Sequence, residues 1–173
     1  VDICNLESVK AYLSAIKKKM GHVDYVVNTA GLLIKKPIDR LSIEELTSLI
    51  GVNYTGAVNV AIAAKPYLLE TSGMLMNFTS SSYTRGRAFY AVYSSTNAAI
   101  VNFTQALAEE WSNEGIRVTC INPERTATPM RTANFGIEPA GLLLSAQEVA
   151  LASLKVLGTQ NTGIIVDVRK DGR

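Results

Sequence analysis

Cysteine, histidine and net charge are all scarce in this sequence: its 173 residues hold two cysteines, one histidine and a formal net charge of only +2. Cys4 and Cys120 are too few and too far apart for a disulfide framework or a metal site. Each lies in an apolar run, so both are expected as buried free thiols in a reducing, cytoplasmic compartment. His22 stands in a Gly-His turn before a strand, with no His/Cys/carboxylate cluster around it, and no metal is expected. The near balance of charge leaves no electrostatic footprint for nucleic acid or for an anionic membrane. No apolar run approaches the roughly 20 residues of a bilayer span, because Asn, Lys and Thr interrupt the longest. The opening residues, Val1 to Glu7, lack an initiator Met and have neither the basic nor the apolar region of a signal peptide.

What is abundant is apolar side chain, 47% of the total, enough to fill the core of one domain over 1–173. Its pattern alternates short β-branched runs with longer helical ones. Leu6, Val9, Leu13 and Ile16 keep helical spacing over 6–20, with three lysines near the end and Gly21 to stop the helix. A buried strand is expected over 23–28. Ser42-Ile43-Glu44-Glu45 is a capping box that opens a long helix to about Leu68. Strands are then expected over 74–79, 116–121 and 163–168, and helices over 88–111 and from the Ser145 capping box to about Leu157. Roughly 20 residues without a regular pattern follow Ile121, longer than most connections and therefore suspected of function. Strands apolar on both faces, alternating with helices, imply a doubly wound α/β domain: a parallel sheet in a three-layer α/β/α arrangement. In such sheets ligands bind beyond the carboxyl ends of the strands.

Three stretches stand there: Asn28-Thr29-Ala30-Gly31, Ser80-Ser81-Ser82 and Asn122-Pro123-Glu124-Arg125-Thr126. Each alone is an ordinary strand-to-loop turn. Tyr93, thirteen positions beyond Ser80 at the start of a helix, changes the reading. A phenol on a helix and a hydroxyl at a strand end can converge on one carbonyl oxygen, the phenol giving a proton as hydride arrives at carbon. The bland alternative is a half-buried tyrosine packed on the sheet.

Together these stretches resemble the short-chain dehydrogenase/reductase superfamily, NAD(P)-dependent oxidoreductases on a Rossmann fold. Asn28-Thr29-Ala30-Gly31 is similar to that family's NNAG motif, and Asn53 in Gly51-Val52-Asn53-Tyr54 to its helix-borne catalytic Asn. Asn77-Phe78-Thr79-Ser80-Ser81 resembles its serine motif, and Tyr93-Ser94-Ser95-Thr96-Asn97 its YxxxK helix. Asn122-Pro123 with Thr126 and Thr128 resembles the loop that touches the nicotinamide amide, and Asp2-Ile3 the pair that contacts adenine. The resemblance therefore implies catalytic roles for Asn53, Ser80, Tyr93 and Asn97. It implies a cofactor, NADP or NAD, held by Asp2, Ile3, Asn28, Ala30, Gly31, Tyr93, Asn97, Pro123, Thr126 and Thr128.

Two departures matter. The first two strands and glycine-rich TGxxxGxG turn of the family have no counterpart in the sequence, and Asn97 stands where the family has a lysine. An amide can hydrogen-bond a ribose but brings no charge to the phenol. Tyr83 and Arg87 repeat the four-residue spacing, yet they precede the helix, so Arg87 is read as a loop residue.

The stretch from Pro123 to Met130 and Arg131, with Asn134-Phe135-Gly136, resembles the reductase half of bifunctional enzymes that form CDP-ribitol. In those a cytidylyltransferase is fused to a reductase of ribulose 5-phosphate. Substrate contacts are accordingly expected from Ser80, Ser82, Arg85, Arg125 and Arg131, with guanidinium forks for the phosphate. A local salt bridge between Glu124 and Arg125 is the alternative. By the same resemblance the helices over 43–68 and 88–111 would join subunits into a homodimer or homotetramer. Glu109-Glu110 beside Trp111 reads as a helix surface. Two alternatives stand beside this reading: a non-catalytic module that dimerises or braces a fused partner, and a short-chain dehydrogenase for a different alcohol or carbonyl substrate.

Overall fold

The computed structural model describes residues 1–170; the end of the expected domain, 171–173, lies outside the described residues. Helix α1 spans Leu6–Met20, where Asn5 accepts the Ser8 amide N–H and Gly21, at φ +87°, closes the last turn onto Lys17. Strand β1 is Tyr25–Asn28. The Ser42 capping box then opens α2, Ile43–Ile50, as the spacing requires.

The long helix expected to follow is not uniform. A π-helical turn over Gly51–Thr55 separates α2 from α3, Gly56–Thr71, and Asn53 is buried in that turn. A π turn inserts one extra residue and re-aims the side chains around it, a device common at functional sites. By length and composition the whole interval Ile43–Thr71 would suffice to cross a bilayer, contrary to the sequence expectation. One face of its α3 part packs on the core, where Gly56, Ala57, Val60, Ala61, Ala63, Ala64 and Leu68 are buried, while Ile62 and Leu69 stay exposed. Of the buried residues, Val60, Ala61, Ala63, Ala64 and Leu68 join Val9 and Leu13 of α1 in one apolar cluster, while Ala57 packs with Ile100 and Cys120.

Strand β2 (Met74–Phe78), α4 (Ala91–Glu110), β3 (Arg117–Pro123), α5 (Pro129–Phe135), α6 (Ala146–Leu157) and β4 (Ile165–Val168) complete the order. The four strands form one parallel sheet in the order β1-β2-β3-β4. Register runs Asn28 beside Asn77, Asn77 beside Cys120 and Asn122 beside Asp167. Leu75 and Val118 meet α1, α3 and α4 on one face, while Met74, Met76, Ile121 and Val168 meet α6 on the other. Each fully buried Leu or Met stabilises the sheet sandwich by about 2 kcal/mol. The steps from β1 to β2 and from β2 to β3 keep their helices on one face. The step to β4 moves the same way but places α6 opposite, so that crossover has the other hand, an exception to the usual right-handed rule.

Two burial expectations fail for one reason each. Strand β1 is not buried on both faces: Tyr25 and Val27 are 47% and 43% exposed, because α6 covers only the side of β2 to β4. Cys4 is exposed, lying before the first turn of α1 rather than under it; Cys120 is buried, and desolvation pushes its thiol up to about 12.

Candidate active site

The parallel register brings the carboxyl ends of β2 and β3 to one rim, and a cleft of about 500 Å³ opens over them. Thr79 to Ser82 form one wall, Pro123 to Thr126 another, and Tyr93 rises from the first turn of α4 between them. Ser80, Ser82, Tyr93, Pro123, Thr126, Thr128, Arg125 and Arg131 all line this cleft.

Ser80 is set by the turn it begins. Its Oγ accepts the Ser82 amide N–H at 3.3 Å, which leaves its own proton free to donate. Tyr93 packs edge-on against Tyr90 at 6.2 Å between ring centroids, and Tyr90 in turn against Phe135 at 5.8 Å. Burial raises the phenol above its ordinary pKa; the Ser80 hydroxyl and the Asn97 amide, both near it, pull it back, and the Arg131 charge pulls it down weakly. Neither neighbour closes a regular hydrogen bond to the phenol. Tyr93 therefore holds its proton throughout the neutral range. The arrangement can deliver a proton to an oxygen placed between Ser80 and Tyr93.

Asn53 and Asn97 stand behind this cleft rather than in it. The Asn53 amide accepts the Leu32 N–H at 2.7 Å and donates to the Leu32 carbonyl at 2.8 Å, so it positions the loop after β1. The Asn97 Nδ2 donates to the Tyr93 main-chain carbonyl at 2.8 Å, and the Asn97 carbonyl accepts the Thr79 hydroxyl at 2.9 Å. Beneath α4 the Oδ1 atoms of Asn77 and Asn122 are buried without a protein partner, although Asn122 Nδ2 donates to Asp167 at 2.7 Å.

Asp2, Ile3, Asn28, Ala30 and Gly31 do not line that cleft. Asn28 Oδ1 accepts the Ala30 N–H at 3.3 Å, and Ile3 is tied to α3 by Asn59 Nδ2 at 2.9 Å. Asp2 is exposed, with its carboxylate on the Cys4 N–H at 2.9 Å. Thr126 is already committed, donating to the Glu124 carbonyl at 2.8 Å, and Thr128 accepts the Arg131 N–H as the cap of α5. Among the described residues no strand is followed by a turn with repeated glycines. Among the described residues the strand ends offer main chain and hydroxyls, and no glycine-rich backbone cradle of the kind a pyrophosphate takes.

The substrate side differs from expectation in two residues. Arg85 is exposed and away from the cleft, whereas Arg87 lines it, its backbone held by the Ser94 hydroxyl at 3.3 Å. Glu124 does not pair with Arg125; its carboxylate accepts the Lys170 N–H at 3.1 Å. Instead Glu138 takes both arginines of the segment from Arg125 to Leu144, the flap over the cleft: Arg131 Nε at 2.6 Å and Arg125 Nη1 at 3.6 Å. Those guanidiniums hold the Glu138 carboxyl below the usual range. Glu138 carried no sequence signal, since it lies in a loop seven residues beyond Arg131. The flap is pinned at its base, where Leu144 exchanges main-chain hydrogen bonds with Arg125 and Ala127 at 2.9 and 2.8 Å. Asn134 fastens α5 to the Leu33 carbonyl at 3.2 Å.

A parallel α/β sheet with a serine turn and a helix-borne tyrosine at its carboxyl rim is the arrangement of a Rossmann-type oxidoreductase. Consistent with that geometry, residues 1–136 match the short chain dehydrogenase family, and the chain belongs to it. It is 52% identical over 168 residues to the bifunctional ribulose 5-phosphate reductase/CDP-ribitol pyrophosphorylase Bcs1 of Haemophilus influenzae, covering 97% of this chain and 35% of that protein. An uncharacterised oxidoreductase of Staphylococcus epidermidis is 35% identical over 158 residues, 90% of this chain and 67% of that one. In structure it is similar to the 3-ketoacyl-(acyl-carrier-protein) reductase of Brucella melitensis complexed with NADH. That match has a TM-score of 0.91 at 28% identity, over 99% of this chain and 76% of the other. The chain therefore spans about a third of the bifunctional relative and about two thirds to three quarters of the other two.

Proposed function

We propose that this chain is the carbonyl-reducing part of an NADP-linked (or NAD-linked) reductase of a sugar phosphate, with ribulose 5-phosphate reduced to ribitol 5-phosphate as the favoured reaction. The carrying observation is the single cleft that joins Ser80 and Tyr93 to three guanidiniums, Arg87, Arg125 and Arg131. The name of the Haemophilus influenzae relative supports the same substrate. A reduced nicotinamide, when bound, supplies hydride. Tyr93 gives the proton to the carbonyl oxygen, and Ser80 donates the hydrogen bond that orients that oxygen. Asn53 keeps the loop after β1 in place through Leu32. Thr128 and the main chain from Pro123 to Thr126 would face the nicotinamide, and Asp2 and Ile3 the adenine end.

Assembly follows the same reading. Ile62 and Leu69 share one face of α3 and are 51% and 48% exposed, which suits a homodimer or homotetramer built on α3 and α4. A fused cytidylyltransferase is the partner domain the reading implies.

The test is NADPH oxidation by the complete protein, with ribulose 5-phosphate and unphosphorylated ribulose compared. Turnover confined to the phosphorylated sugar supports the reading; equal rates with both, or with neither, overturn it. The competing reading is a non-catalytic bracing module. One observation favours it: no lysine stands at position 97, and the Asn97 amide is bound to main chain.

A further inference from the structure

We propose that Glu138 is an internal counter-anion standing in the place of a substrate phosphate, and that a phosphate monoester enters the cleft by displacing it from Arg125 and Arg131. This rests on the reading of the cleft as a phosphosugar site and names the residue that governs its anion selectivity.

Arg131 meets Glu138 in a fork, Nε to Oε2 at 2.6 Å and Nη2 to Oε1 at 3.0 Å. That is the geometry in which a guanidinium grips two phosphate oxygens. Its plane is further fixed over the Phe135 ring at 4.2 Å. Arg125 reaches the same carboxylate only at 3.6 Å, too long for a hydrogen bond, so its donors remain largely unused. Arg87 lines the same cleft, and among the described residues no carboxylate lies in salt-bridge range of it. Glu124, the acid among the residues that line the cleft, is turned to the Lys170 main chain. Two guanidiniums thus share one bound carboxylate while a third lines the same cleft, a surplus of positive charge that suits a phosphate dianion better than a monoanion.

The pair is also desolvated enough to matter. The Arg131 and Glu138 side chains are 20% and 19% exposed, so the attraction is stronger than at an open surface and an empty Arg131 fork would be costly. Apolar packing does little to hold Glu138 in that position. It follows Gly136, at φ +76°, and Ile137, which is 95% exposed. The base of the flap is pinned by Leu144, so the turn bearing Glu138 can swing out while Arg125 and Arg131 stay. A dianion on the Arg131 fork that also takes up the unused donors of Arg125 gains contacts that Glu138 does not make.

The experiment is calorimetric titration of the complete protein with inorganic phosphate. Glu138→Gln keeps the side-chain shape and removes the competing charge, so phosphate should bind about tenfold tighter than in the unaltered protein. Glu138→Asp keeps the charge on a shorter arm and should fall between the two. Arg125→Ala in the unaltered background should weaken phosphate at least fivefold, which tests the site even where the glutamine variant folds poorly. Phosphate affinity unchanged or lowered by Glu138→Gln overturns the proposal and makes Glu138 a brace for the flap, as does Arg125→Ala without effect. Failure of the functional reading is distinct: the complete protein would then not reduce ribulose 5-phosphate, whatever the phosphate affinities.

Discussion

Asn97 Nδ2 donates to the main-chain carbonyl of Tyr93 at 2.8 Å, so the residue one turn beyond the phenol is anchored to its backbone. Asn97 is 7% exposed and brings no charge to a phenol that burial already pushes upward. Asn97→Lys in the complete protein should place an ammonium beside Tyr93 and favour the phenolate by attraction. Each unit of phenol pKa recovered is worth about tenfold, so kcat should rise about tenfold or more. The pH profile for alcohol oxidation should move toward neutrality. Tyr93→Phe in that background should remove the gain. A lysine variant that binds NADPH but gains nothing would leave Arg131, the cation whose field reaches the phenol, as the group to replace next.

Asn53 shows a different kind of dependence. Its amide satisfies both main-chain groups of Leu32. Asn53→Ala would leave that pair unmatched in a part-buried site, at a cost of about 2 kcal/mol. The Leu32 amide should lose protection from hydrogen exchange before the strands do. Equal protection in both proteins would show that Asn53 does not hold the loop.

Much of this was legible in the sequence because it depends on local chemistry. The Ser42 and Ser145 capping boxes, the Gly21 stop and the placement of Ser80 and Asn122 at strand ends need only near neighbours. What was hidden depends on distant partners. The π turn at Gly51–Thr55 does not break the apolar pattern, and it is settled by Leu32 and by Ile3 against Gly56. Arg85 and Arg87 look alike in sequence, and only the Ser94 bond to the Arg87 backbone tells them apart. Glu138 finds Arg131 across a turn with no periodicity to announce it.

Gly73 tests how tightly β1 is set against β2. A Cβ there would lie 2.4 Å from the Asp24 carbonyl oxygen, the acceptor that receives the Met74 N–H at 2.9 Å and starts the register. Backbone cannot yield as a side chain does, so Gly73→Ala should cost about 2 kcal/mol. For a domain of this size that is a Tm drop of about 4–8 °C. Gly86→Ala, with nothing within 4 Å of the added carbon, should change stability by less than about 0.5 kcal/mol. Similar Tm values for the two variants would refute the register constraint.

The α3 face offers a simple check on assembly. Ile62→Glu puts a charge amid the exposed apolar residues that include Leu69, and should shift sedimentation toward monomer. An unchanged sedimentation profile would move the interface elsewhere.

The last prediction concerns acid stability at the start of α6. The Ser145 N–H donates to Glu148 Oε2 at 2.6 Å, Lys170 Nζ to Oε1 at 3.0 Å, and the Glu148 N–H returns to Ser145 Oγ at 3.1 Å. The backbone donor first, then the lysine and the serine hydroxyl, hold the Glu148 carboxyl down at about 2. In the unfolded chain an ordinary glutamate titrates at about 4.3. A group depressed on folding stabilises the native state above its unfolded pKa and loses that contribution as pH falls through the folded one. Glu148 therefore supports the fold fully above about pH 5 and progressively less toward pH 2. Glu148→Gln removes the titration, so the Tm gap between the two proteins should be widest near neutrality and close between pH 5 and 2. Glu138 and Asp167, also held low by their partners, continue to titrate in both proteins and keep the remaining acid slope. A Tm gap that stays constant from pH 7 to 2 would mean that Glu148 acts through shape alone and that its charge contributes nothing to the cap.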